Sequence, residues 1–141
     1  MAKTFNTIER NVSELATPTQ ALIKTLLDGD EPTFCYEIAE KETGLLGYQA
    51  SRIIVITEFE IIELRLGFEI ELRSIVFLSK VDCIKVNDGL LGSSGHYQPE
   101  IHIIVDNDKK ISVEFGEKQE QVWAVFLSRL RRAIKKAKKA G

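Results

Sequence analysis

Ile62-Glu-Leu-Arg-Leu-Gly-Phe-Glu-Ile-Glu-Leu-Arg73 decides the fold. Ile62, Leu64, Leu66, Phe68, Ile70 and Leu72 fall on one parity, and Glu63, Arg65, Glu69, Glu71 and Arg73 on the other. A period of two is the mark of a strand with one apolar and one polar face. Gly67 divides the run into a hairpin. A two-residue turn would set Leu64 opposite Glu71, on the wrong face. A three-residue loop of Gly67-Phe68-Glu69 instead pairs Leu66 with Ile70 and Leu64 with Leu72, and it sets Arg65 against Glu71 and Glu63 against Arg73. Opposite charges across an antiparallel pair contribute ~0.2–1 kcal/mol each, which favours this register.

The same period extends outward. Phe34, Tyr36 and Ile38 alternate with Cys35, Glu37 and Ala39, and Ser51 to Thr57 is apolar enough for a strand covered on both faces. Ser74 to Leu78, Asp82 to Val86, Tyr97 to Asp106 and Ile111 to Phe115 complete about seven short strands. Pro99 argues for an edge or a bulge. Asn107-Asp108-Lys109-Lys110 is read as a hairpin turn.

Helical periods flank the strands. Val122, Trp123, Phe126, Leu127, Leu130 and Ile134 form one broad apolar face over about 118–138, with acids early and bases late, as the helix dipole favours. Thr17 is a candidate N-cap with Pro18 at N1, Gln20 completes Thr-x-x-Gln, and Gly29 is the C′ residue, which predicts a helix over 18–28. Phe5, Ile8, Val12 and Leu15 fall on one helical stripe, so residues 1–16 are read as a short amphipathic helix capped by Asn6 with Glu9 as its partner. The expected architecture is α+β. A curled, partly open antiparallel barrel of seven strands is capped by the C-terminal helix. Residues 1–29 form an N-terminal helical arm with one or two helices, and residues 30–141 form the main domain.

This order resembles the bacterial pleckstrin-homology-like (PH-like) domains. Arg52-Ile-Ile-Val-Ile-Thr57 followed by Glu60-Ile-Ile-Glu-Leu64 is similar to the family's second and third strands around a threonine turn. The stretch from Ser74 to Val86 and then Gly89-Leu-Leu-Gly92 is similar to its fourth and fifth strands and the loop after them. Leu26-Leu-Asp-Gly-Asp-Glu31 looks like the entry from an N-terminal helix, so the resemblance spans roughly 20–138. It implies a non-catalytic interaction domain that forms rings or other oligomers. One departure is Glu60, where the family's turn usually carries a basic residue. Inositide-binding members of the superfamily place several bases in the first hairpin; here Glu40 to Tyr48 holds only Lys41, between two acids, which cannot converge positive charge on a polyphosphate.

At 141 residues the chain can bury its own core without a disulfide or metal. Cys35 and Cys83 are expected to be reduced core thiols, and with no apolar leader visible the expected location is the cytoplasm. His96 and His102 stand six residues apart, about 20 Å along a strand, too far to share a metal. The sequence carries no phosphate-binding loop or nucleophile-elbow pattern, and nothing in it calls for a cofactor or a small-molecule substrate. The expectation is therefore a protein without enzymatic activity.

Two surfaces remain as candidates. Arg129, Arg131, Arg132, Lys135, Lys136, Lys138 and Lys139 lie within the last thirteen residues, and the rest of the chain carries 12 bases against 21 acids. Arg129, Arg132, Lys135, Lys136 and Lys139 are candidate contacts for an anionic membrane surface, against the blander reading of a solvated helix end. Nucleic acid is disfavoured by the acidic body. Leu45-Leu46 and Leu90-Leu91 stand in glycine-bounded loops; with Phe5, Ile8 and Val12 they are candidate protein contacts, although loop leucines more often plug a barrel end. The first functional expectation is an interaction module, self-assembling or protein-binding through sheet edges and the N-terminal helices. Peripheral binding to an anionic membrane through the basic C-terminal helix and the leucine loops is the alternative.

Overall fold

A computed structural model describes residues 3–42, 49–87, 98–106 and 109–140. Among these residues, eight strands and two α-helices follow one another: β1 (Lys3–Glu9), α1 (Thr17–Leu27), β2 (Phe34–Glu42), β3 (Gln49–Ile56), β4 (Glu60–Leu66), β5 (Ile70–Phe77), β6 (Val81–Asn87), β7 (Glu100–Val105), β8 (Lys109–Glu114) and α2 (Glu120–Ala140). Short 3₁₀ turns occupy Val12–Glu14 and Leu78–Lys80. Every strand pairing is antiparallel, in one sheet ordered β1-β2-β3-β4-β5 and a second ordered β6-β7-β8.

The five-stranded sheet is covered on both faces because β3 and β4 are apolar on both. Ile54, Ile56 and Ile61 face the second sheet and join Ile101, Ile103, Val113 and Phe115 in the main core. Ile53, Val55, Ile62 and Leu64 face the other way and meet Ile23 and Leu27 of α1 in a separate cluster. The continuous apolar run at 53–56 therefore belongs to a strand sandwiched between layers. α2 closes the main core with Phe126, Leu130, Ile134 and Ala137, a stripe at helical spacing. Phe126 meets Tyr36, Phe115 and Phe34 edge-on at centroid distances of 4.9, 5.7 and 6.0 Å. Trp123 is half-buried and its indole N–H donates to the Glu100 carbonyl at 3.1 Å.

The hairpin register holds at three positions: Leu66 pairs with Ile70, Arg65 with Glu71 and Leu64 with Leu72. It fails at the fourth. A bulge at Arg73 sets Glu63 opposite Ser74, so Arg73 and Ser74 both turn toward the second sheet. The turn into β4 is held by Thr57, whose buried hydroxyl accepts the N–H of Phe59 at 3.1 Å and of Glu60 at 2.9 Å.

The N-terminal segment differs most from its sequence reading. Residues 3–9 are a strand, which is why the count rises from seven to eight. The spacing of Phe5, Ile8, Val12 and Leu15 fits a helix, but short isolated helices are marginal and the free edge of β2 offers a full ladder of hydrogen bonds. Asn6 and Glu9 cap nothing there; they pair with Ala39 and Tyr36. The single N-terminal α-helix is α1. Its N-cap is Ala16, not Thr17, no side chain caps it, and the Gln20 amide instead ties down the preceding turn by donating to the carbonyls of Leu15 and Ser13 at 2.6 and 3.1 Å. Asp28 and Gly29 end it with positive φ, of 48° and 92°.

Candidate functional site

The two sheets splay apart beyond the aromatic core and leave a polar cleft of about 690 Å³ between them. Arg52, at the start of the apolar run of β3, is its centre. One guanidinium nitrogen donates to Glu63 at 2.9 Å and to the Ser112 carbonyl at 2.7 Å; the other donates to Glu114 at 2.5 Å. The Ser74 hydroxyl donates to the second oxygen of Glu63 at 3.2 Å. Glu63, expected opposite Arg73, is thus a buried acid whose charge the arginine of a neighbouring strand matches. Burial pushes the Glu114 carboxyl above its ordinary range, and Arg52 offsets that only in part.

A second row crosses β7 and β8. His102 Nδ1 lies 3.0 Å from Ser112 Oγ, and Nε2 lies 2.9 Å from Glu100. Ser, His and Glu in that order form a hydrogen-bonded chain of the kind nucleophilic enzymes use. Here the serine is the cross-strand partner of the histidine and Glu100 its neighbour two residues back. Arg52, the cation bonded to the Ser112 backbone, already grips two carboxylates. Arg65, Arg73 and Lys110 also line the cleft and have no ion-pair partner among the described residues.

The cations of α2 differ in what they touch. Arg129 pairs with Glu9, reaches the Tyr36 hydroxyl at 3.3 Å and lies 5.5 Å over the ring of Phe34, so it is tied inward. Arg132 and Lys136 share a depression with Asp30, Glu31 and Glu58, where Lys136 pairs with Glu58 at 3.8 Å. Lys135 and Arg131 share a shallow depression with Arg132 and, with Lys138, also line the flank beside β6, and Lys139 is exposed near the helix end.

Among the apolar candidates, Phe5 packs on the main core and Val12 on the α1 cluster, while Ile8 is exposed opposite Glu37. Leu45, Leu46, Leu90 and Leu91 lie outside the described residues, as does His96. Two sheet edges escaped the sequence reading. β5 exposes Leu72 (41%), Ile75 (43%) and Phe77 (56%), and β6 borders a groove with α2. The bulge hid the first, because the apolar parity switches at Arg73. Cys35 is buried as expected, but Cys83 is exposed on β6. Among the described residues no group of three metal-ligating side chains converges, and no helix is long and apolar enough to cross a membrane. Compared with protein-family models, with curated proteins and with solved structures, the chain matches none.

Proposed function

We propose that the chain is a non-catalytic interaction module of PH-like architecture that associates with a second copy of itself through β5. The run β2 to β8 followed by α2, split between two sheets with the helix over one end of the core, supports the PH-like reading; β1 and α1 are additions to it. The observation that carries self-association is the edge of β5. Leu72 and Ile75 share the outer face of the sheet with Leu64 and Ile62, which α1 covers, yet they lie beyond its reach. An exposed apolar edge strand templates pairing with another strand. Antiparallel pairing of two such strands about a two-fold axis at Leu72 sets each Glu71 opposite the other copy's Arg73, so the edge is complementary to itself.

β1 does not serve as the arm that covers a neighbour's edge; it covers the edge of its own β2. Sedimentation equilibrium over a hundredfold concentration range tests the reading. A dimer that Ile75→Lys converts to a monomer is expected, and a concentration-independent monomer overturns it. The alternative, attachment to an anionic bilayer through α2, would draw on Arg132, Lys135 and Lys139, which have no ion-pair partner among the described residues, while Arg129 is held by Glu9 and Lys136 pairs with the exposed Glu58 at 3.8 Å.

A further inference from the structure

Among the described residues β6 is an outer strand of the three-stranded sheet, paired with β7 on one side, and α2 runs beside it. Between them opens a groove of about 420 Å³ walled by Ile84 and Val86 from the strand and by Leu127 and Ile134 from the helix. Val86 is the telling position. Its register partner Ile101 is fully buried on the core face, yet Val86 on that same face is 52% exposed, because α2 passes without covering it. Leu127 and Ile84 are likewise only half-buried.

Charge bounds the groove on one side. Arg131, Lys135 and Lys138 recur at helical spacing along its rim, and none has an ion-pair partner among the described residues. Asp82 is the one acid among the described residues of the lining, and the three bases outnumber it on a chain that is otherwise acidic.

An unpaired strand edge supplies main-chain donors and acceptors, a flanking groove supplies pockets for alternate side chains, and a rim of one sign selects the charge of the occupant. We propose that this groove takes an extended acidic segment of another protein. The segment adds as a fourth strand along β6, places alternate apolar residues over Val86 and Leu127, and turns its carboxylates to Arg131, Lys135 and Lys138. A bilayer fits the geometry less well, since a concave groove beside a strand edge suits an extended chain better than a broad headgroup surface. The inference does not require association through β5.

The test is panning of a random twelve-residue peptide display library on the full chain, with counter-selection on the Val86→Lys/Lys135→Glu variant. Enriched peptides are then synthesised with a fluorophore and titrated by anisotropy. Acidic sequences with apolar residues at alternate positions are expected. Their affinity should fall about tenfold in the Arg131→Glu/Lys135→Glu variant and fall again with added salt, and amide exchange in β6 should slow on binding. The Ile75→Lys chain should bind them as well as the unaltered chain, which separates this inference from the reading of β5. Enrichment of nothing beyond the counter-selected background, of sequences without acids, or of peptides that protect another strand would overturn the proposal. So would pelleting with phosphatidylserine vesicles that the same charge reversal abolishes while no peptide binds.

Discussion

Gln119 grips the backbone of Thr7 from both sides: its Oε1 accepts the Thr7 N–H at 2.9 Å and its Nε2 donates to the Thr7 carbonyl at 2.9 Å. The side chain thus replaces one rung of a strand ladder. The same amide accepts the Gly116 N–H at 2.8 Å and donates to Asn6 at 2.9 Å, while the Thr7 hydroxyl donates to the Glu114 carbonyl at 2.6 Å. The gap between β1 and β8 is therefore bridged by side chains where no ladder closes it. Gly116 is required there, because a Cβ would lie 2.5 Å from the Phe5 carbonyl oxygen.

Removing that grip should loosen β1 selectively. Four hydrogen bonds at about 0.5–1.5 kcal/mol each, partly recovered by water, put the cost of Gln119→Ala at about 2 kcal/mol. Amide exchange by mass spectrometry should show residues 3–9 exchanging faster while β3 and β4 stay protected. Uniform acceleration across the sheets would mean that β1 is integral to a single cooperative unit and not locally released.

What the sequence disclosed, and what it hid, follows from the range of the interactions involved. Leu64, Leu66, Ile70 and Leu72 with their flanking charges fixed a local register, because a hairpin involves only neighbours in the chain. Phe126 and Leu130 announced the core face of α2 by period alone. The bulge at Arg73 left no trace, since two successive polar residues are compatible with either parity. The strand at 3–9 depends on partners in β2 between 27 and 39 residues away, and the pairing of Arg52 with Glu63 and Glu114 depends on contacts across strands and between sheets. The cations of α2 were legible as a cluster, but their division between Glu9, Glu58 and the groove was not.

Arg52 should be the most costly charged residue to remove. Its loss leaves Glu63 and Glu114, both largely shielded from water, without a counter-charge, and breaking a buried pair in this way costs about 3–5 kcal/mol. Arg52→Ala should therefore lower the urea midpoint sharply. Adding Glu63→Gln and Glu114→Gln to that variant should recover part of the loss, because the stranded charges are gone. No recovery in the triple variant would show that packing of the guanidinium, not charge, sets the cost.

The two thiols should differ by environment. Burial pushes the Cys35 thiol up to about 12, with Glu37 and Glu9 adding to the effect, so at pH 8 it carries almost no thiolate. Cys83 is exposed. A chromogenic disulfide reagent should titrate one thiol quickly in the native chain and the second only in denaturant, and Cys83→Ala should abolish the fast phase.

The raised pKa of Glu114 makes a prediction whose sign is fixed. Its native carboxyl holds a proton to higher pH than the same residue in the unfolded chain, chiefly because of burial. Its contribution to stability is therefore full below the unfolded value of about 4.3 and is lost as pH rises through the native one. Gln cannot ionise and escapes that loss. The urea midpoint of Glu114→Gln relative to the unaltered chain should thus shift in the variant's favour between pH 4 and pH 7. A shift in the opposite direction would mean that attraction to Arg52 outweighs desolvation, and that the centre of the cleft is a net stabilising ion pair.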